Sequence, residues 1–221
     1  MGHRRYKSTG GTMEKKYKIL EDEKTQRPFA AYRIVALRSF GNVRVGDKGG
    51  YVQGEENLSH EGNCWIYDEA VVEEGARVMQ DAVVKGTARV HGQALVYGNA
   101  VIQDHAHLYW NAEVYGSAVV KDRAEVGYEA VVMDEATVAG SASVRDDALV
   151  CDQAVVKGKA IIGDSATVSD LAVVGGNARV RDRVQITEYA KVFGNIELDG
   201  RSRIKGFSRV GLRAAPALTR G

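Results

Sequence analysis

The sequence predicts an all-β protein that winds as a single-stranded parallel β-helix around one narrow core. Three observations predict it: a six-residue repeat, a composition rich in small and aliphatic residues, and Gly or Asp at a fixed place in each repeat. Of 221 residues, 25 are glycine and 2 are proline, 7% are aromatic and 44% are hydrophobic. Because interiors are close-packed, so few rings cannot fill a wide core.

The six-residue repeat takes over from about residue 64. Alanine occupies every sixth position from Ala70 to Ala178, 19 times in succession. Two places after each small residue, all 25 positions from Ile66 to Val210 hold Val, Ile or Leu. Residues two apart point the same way in a strand, so both series face inwards. A period of six excludes an amphipathic helix, because it leaves no continuous stripe at 3.6 residues per turn.

The corners of the predicted coil lie two residues after each aliphatic residue of the repeat. Gly or Asp holds 19 of the 25 positions from Asp68 to Leu212. Glycine adopts positive φ freely and Asp tolerates the left-handed region, so these positions predict turns. Three units then make a triangular coil of 18 residues. Coils stacked about 4.8 Å apart give about eight coils and a prism roughly 40 Å long.

A resemblance to a known family adds to this pattern. The hexapeptide repeat resembles the left-handed parallel β-helix of the hexapeptide-repeat transferase superfamily, over about 150 residues. Over about 30 residues, Gly49-Gly50-Tyr51-Val52, Leu58-Ser59 and Gly62-Asn63-Cys64-Trp65-Ile66-Tyr67-Asp68-Glu69 are similar to the first coil of the YdcK-like proteins. The resemblance implies a left-handed helix, an N-terminal β cap and acyltransferase activity. It implies no particular catalytic residues.

The chain divides into four predicted segments. We expect a flexible extension at 1–12, a β cap with the first coil at 13–57, the β-helix at 58–213 and a tail at 214–221. Alternating residues from Tyr32 to Leu37 predict strands in the cap, and the pairs Gly41-Asn42 and Gly46-Asp47 predict turns. The cap would cover strand edges that otherwise invite aggregation.

Charge and hydropathy exclude several function classes. The 30 basic and 29 acidic residues leave a net charge of +1. No global field therefore attracts nucleic acid or an anionic membrane. No apolar run approaches the roughly 18 residues of a membrane span, and the first residues lack a secretory signal, so we expect a cytoplasmic protein.

The outward residues sort into three faces, because residues 18 apart stack. The second face is polar and carries Arg89, His91, His107 and Tyr109. The first and third faces carry aliphatic columns. These columns are Val83, Val101, Val119, Val155 and Val173 on the first face, and Leu95, Val131, Met133 and Leu149 on the third. Two apolar faces predict a cyclic oligomer, and we expect a homotrimer. The alternative is that outward valines reflect β propensity alone.

Most rings of the repeat lie between residues 91 and 128. Tyr97 is expected to stack on Tyr115, Trp110 on Tyr128, and His91 beneath Tyr109, with His107 diagonal to His91. The family resemblance implies a histidine general base near a subunit interface, and imidazole titrates near neutrality. His107 and His91 are therefore the catalytic candidates. The ligand-platform candidates are Tyr97, Tyr109, Trp110, Tyr115 and Tyr128. The alternative is ordinary surface residues that stack between coils.

The sequence predicts neither a disulfide nor a metal site. Cys64 and Cys151 lie nearly five coils apart, roughly 20 Å along the axis, so both should be reduced thiols. Cys64 should face the core, and Cys151 should pack at an interface. A zinc site needs converging histidines at a spacing that this chain lacks. Aspartate columns such as Asp134, Asp152 and Asp170 could bind Ca²⁺, but their turn preference explains them.

Two functions stay open. The six-residue register has no inserted loop, so the prism offers little concavity for a small substrate. That favours a non-catalytic oligomeric scaffold or binding protein without a cofactor, whose apolar faces would bind a further protein partner or like chains. The alternative is an acyl-CoA-dependent transferase for O- or N-acetyl transfer in an inter-subunit cleft. Acetyl-CoA would be its co-substrate, and His107 or His91 its base.

Overall fold

The computed structural model describes residues 14–25 and 30–211. Within them the chain is an all-β, three-sided parallel β-helix, as the six-residue repeat predicts. The predicted extension at 1–12 and tail at 214–221 lie outside the described residues.

The cap consists of three longer strands, β1 (Tyr17–Lys24), β2 (Tyr32–Ala36) and β3 (Lys48–Val52). A short 3-10 helix, Glu55–Asn57, follows β3. β1 pairs antiparallel with β2, and β2 pairs antiparallel with β3. The alternation from Tyr32 to Leu37 therefore corresponds to β2, while β1 and β3 lie outside that stretch.

Two-residue strands β4 to β28 follow the cap as far as the structure describes the chain, one in each six-residue unit. In chain order they are Trp65–Ile66, Val71–Val72, Arg77–Val78, Val83–Val84, Arg89–Val90, Leu95–Val96, Val101–Ile102, His107–Leu108, Glu113–Val114, Val119–Val120, Glu125–Val126, Val131–Val132, Thr137–Val138, Ser143–Val144, Leu149–Val150, Val155–Val156, Ile161–Ile162, Thr167–Val168, Val173–Val174, Arg179–Val180, Gln185–Ile186, Lys191–Val192, Glu197–Leu198, Arg203–Ile204 and Arg209–Val210. Every third strand joins the same sheet, so the three sheets are the three predicted faces.

The register between coils is 18 residues throughout the helix. Val101 pairs with Val83 on one side and with Val119 on the other, both in parallel. The sheet of the first face contains nine strands, so the helix has about nine turns, where the repeat alone predicts about eight. The count exceeds eight because the 25 two-residue strands divide among the three faces as nine, eight and eight. β3 of the cap adds one more strand to the second face, where it pairs in parallel with Val71–Val72. Cap and helix therefore share the sheet of the second face.

The core is as narrow as the composition predicts. The alanines at six-residue intervals from Ala70 to Ala178 and the aliphatic residues at six-residue intervals from Ile66 to Val192 are all buried. Alanine fits the tapering interior near each corner, and the aliphatic side chain fills the space between the sheets. The last coils are looser, since Leu198 and Ile204 are only partly buried.

The corners have the predicted left-handed backbone, and their acidic side chains have a second role. Asp104 has a φ of 62° and Gly86 a φ of 73°. A corner carboxylate also accepts the backbone N–H of the corner one coil later. Asp164 Oδ2, for example, accepts from Asp182 N at 3.0 Å. The aspartate columns are therefore links between successive coils.

The first coil is closed by a buried lysine. Lys16 Nζ donates to the carbonyl oxygen of Cys64 at 2.9 Å and lies 3.2 Å from its Sγ. Burial lowers the pKa of Lys16 and raises the pKa of Cys64. Cys64 is thus a core residue as predicted, and both cysteines are free. The pair Gly49-Gly50 is required here, because a Cβ on Gly49 would lie 2.7 Å from the Trp65 ring.

The fold predicts unequal effects for two adjacent isoleucines. Ile162 points into the core and is fully buried, whereas Ile161 points outward and is partly exposed. Ile162→Ala should lower the free energy of unfolding by about 2–5 kcal/mol, because it leaves a cavity that the coils cannot close. Ile161→Ala is the matched control and should cost clearly less in urea unfolding. Equal losses would contradict the inward register.

Candidate functional site

The candidate site lies on the second face, where two histidines meet. His91 follows the strand Arg89–Val90, and His107 opens the next strand of that sheet. Their Nε2 atoms are 2.7 Å apart, and the rings stack with centroids 4.8 Å apart and an interplanar angle of 23°. The diagonal contact is the one that the 18-residue register predicts. A hydrogen bond at this distance requires that one ring donates its N–H to the other ring's lone pair.

His107 is half-buried, and its environment keeps the imidazole neutral. Burial foremost, together with the nearby charges of His91 and Arg89, lowers the pKa of His107 to about 4. A neutral imidazole at pH 7 has a free lone pair, which a base or a ligand requires.

Two glutamates next to the histidines were not identified from the sequence. Glu73 is fully buried one coil below His91, where its Oε1 accepts from Arg89 Nε. Glu73 Oε2 has no hydrogen-bond partner among the described residues. Glu74 Oε2 lies 3.6 Å from His91 Nδ1 and accepts the N–H of Gly92 at 2.8 Å.

The position of Glu73 in the sequence, 16 residues before Arg89 and 18 before His91, was the signal that could have identified it. Arg89 and Glu73 make the same diagonal contact as His107 and His91, with 16 residues between the partners in both pairs. The repeat gave no reason to expect a buried carboxylate at an outward position.

Tyr109 continues the histidine stack on one side. Its ring centroid lies 5.2 Å from that of His107 and 6.2 Å from that of His91. The ring lies over Gly127, where a Cβ would come within 2.2 Å of Tyr109 Cζ. Gly127 therefore fixes where Tyr109 rests, and the sequence analysis did not identify it.

The five predicted platform residues form two groups. Tyr109 packs edge-on against Tyr128, and Trp110 stacks on Tyr128 at 6.4 Å, all at the corner after the second face. Tyr97 and Tyr115 stack at 4.7 Å on the third face. The predicted stacking pairs are confirmed, but the rings do not make one continuous platform.

The predicted interface columns lie where the register places them. The aliphatic side chains of the first face, from Val83 to Val173, are half-buried in the single chain, and so are Leu95, Val131, Met133 and Leu149 on the third face. Cys151 is less exposed than its outward position suggests, at 7%. Burial, together with Asp152, raises the pKa of its thiol to about 12.

One group of possible metal ligands lies at the corner after the third face. Donor atoms of Asp134, Cys151 and Asp152 lie within 4.8 Å of one another. Both carboxylates are already used, because Asp134 accepts the N–H of Asp152 and Asp152 accepts the N–H of Asp170. The structural links between coils explain this group.

The glycine beneath Tyr109 gives a direct test of the site geometry. Gly127→Ala should displace the Tyr109 ring and cost about 1–3 kcal/mol, as overpacking does. Gly163→Ala is the matched control, since its Cβ would meet nothing closer than 3.0 Å, from Asp146 Oδ2. Chemical denaturation and near-ultraviolet circular dichroism should separate the two variants. A larger loss for Gly163→Ala would refute this packing.

Comparisons with known proteins extend the resemblance. No protein-family model matches the chain. Over 91 residues the chain is 30% identical to the Escherichia coli (strain K12) protein named "Uncharacterized acetyltransferase YdcK", a match that covers 38% of this chain. The matched region spans 26% of the length of YdcK. In the part of the chain that the structure describes, no helix is long and apolar enough to cross a membrane. The chain is thus a parallel β-helical protein similar to YdcK, as its hexapeptide repeat and first coil predict.

Proposed function

We propose that this protein is a self-associating β-helical scaffold, in which copies of the chain contact one another through the first and third faces. The observation that carries the proposal is the pair of half-buried aliphatic columns on those faces. Soluble monomers seldom expose contiguous apolar surfaces of this kind. A second copy of the chain would remove these columns from water.

The regularity of the columns suits a protein partner better than a small molecule. Val101 stands directly between Val83 and Val119, so the column of the first face is straight along the helix axis. On the third face Glu113 stands between Leu95 and Val131 and interrupts the column once. A flat apolar strip matches another strip of the same spacing. The second face, which carries Arg89, His107 and Glu125, would stay in contact with water.

A trimer would bury both apolar faces of each protomer. In a closed ring of three, the first face of one protomer contacts the third face of the next. Each protomer then buries two faces and exposes one. A dimer would leave one apolar face uncovered.

Charge insertion into one column tests the assembly. The wild type should elute as a trimer in size-exclusion chromatography with light scattering. Val119→Lys should shift it to monomer, because a lysine cannot be buried unpaired in the interface. Ser143→Lys is the matched control, since Ser143 holds the equivalent strand position on the second face and should leave the trimer intact. A monomeric wild type at micromolar concentration would sink the proposal.

Acetyl transfer is the second candidate, and the contact between His91 and His107 favours it. YdcK, which resembles this chain, is named an acetyltransferase. In such a reaction a neutral imidazole takes the proton of an acceptor hydroxyl or amine. The acceptor oxygen or nitrogen then attacks the thioester carbonyl of acetyl-CoA. The acetyl group moves to the acceptor, and the proton passes to the departing thiolate.

Calorimetry separates this second candidate from a pure scaffold. Acetyl-CoA should bind saturably if the site is catalytic, and His107→Ala and His91→Ala should each weaken binding or turnover at least tenfold. His105→Ala is the control, because His105 contacts Thr87 rather than the histidine pair. Absence of binding heat at millimolar acetyl-CoA would exclude acetyl transfer and leave the scaffold as the remaining proposal.

A further inference from the structure

We propose that His91 and His107 form a binding site for a divalent transition-metal ion of the zinc class. The sequence predicts no metal site, because it lacks the spacing that would bring three histidines together. The structure brings two histidine nitrogens together within one chain, on adjacent coils of one rigid sheet.

The distance between the two nitrogens fits one shared ion. A zinc ion binds each imidazole nitrogen at about 2.0–2.1 Å, so two nitrogens on one tetrahedral ion lie about 3.3 Å apart. The two Nε2 atoms are 2.7 Å apart, and the rings face each other through these atoms with centroids 4.8 Å apart. Moving the two nitrogens apart by about 0.6 Å would let the metal replace the shared proton.

The carboxylate of Glu74 lies beside the second ring nitrogen of His91. Ligand histidines commonly give their other ring N–H to a carboxylate, which fixes the tautomer and turns the free lone pair to the metal. Glu74 Oε2 lies 3.6 Å from His91 Nδ1. The N–H of Gly92 holds this carboxylate in place at 2.8 Å.

Carboxylates lie on both sides of the pair. Glu73 forms an ion pair with Arg89, the basic side chain paired in register with His107. Glu74 beside His91 and Glu125 one coil above His107 supply negative charge for a bound cation, although Arg123 lines the same cavity. The proposed site does not depend on the proposed assembly, because every group in it comes from one chain.

Cobalt and zinc titrations test the site. Each protein carries His3→Gln, so that the N-terminal histidine cannot bind the probe. Co²⁺ should bind with a stoichiometry of one per chain, followed by visible absorption, and Zn²⁺ should displace it. His91→Gln and His107→Gln should each weaken binding at least tenfold. Glu74→Gln keeps an oxygen for the N–H of Gly92 and should weaken binding by about 10-fold or more, through the loss of its charge.

The control is His105→Gln, which removes a nearby histidine outside the pair and should leave Co²⁺ affinity unchanged. Circular dichroism melting should show that each variant folds, and if one histidine variant does not, the other and Glu74→Gln decide. Saturable binding lost in the pair variants and kept in His105→Gln supports the site. No saturable binding at millimolar Co²⁺, or equal binding in all variants, would overturn it.

Discussion

The inward register of the hexapeptide is the constraint on which the rest of this structure depends. Each coil donates backbone N–H groups to carbonyl oxygens of the next, as Val101 does to Ala118 at 2.9 Å. That ladder forms only while every small and aliphatic side chain faces the core. Burying each aliphatic residue contributes about 1.5–3 kcal/mol, so a shift in register would forfeit most of the stability. All variation that serves function is therefore confined to outward positions and corners.

The repeat made most of the helix predictable from the sequence, because one short rule recurs in every coil. Corner residues as unlike as Trp110 and Gly86 share a positive φ, so position rather than residue type decides the backbone. The cap could not be predicted to the same depth. Alternation indicates its strands, but the burial of Lys16 against Cys64 depends on contacts between segments nearly 50 residues apart that follow no repeat. The parallel pairing of β3 with Val71–Val72 escaped the sequence for the same reason.

The candidate site was predictable in part. The 18-residue register places His91 beside His107 and stacks Trp110 on Tyr128, so those contacts follow from counting residues. Counting does not reveal how deeply an outward side chain is covered, which is why the burial of Glu73 was missed. The two uses considered for the histidine pair also compete, because a metal ion would occupy the nitrogen that a general base needs. Self-association, by contrast, uses other faces and is compatible with either.

The tyrosine ring that rests over Gly127 has a consequence for how such a chain can change during evolution. Phe193 lies in the same way against Gly175, one coil below it. In a repetitive chain, whole coils are readily gained or lost by in-register duplication. A duplication with its boundary between a ring and its glycine would bring a new side chain against the ring. The coils from Tyr109 to Gly127, and those from Gly175 to Phe193, should therefore each be inherited as one block, while the other coils are free to vary in number.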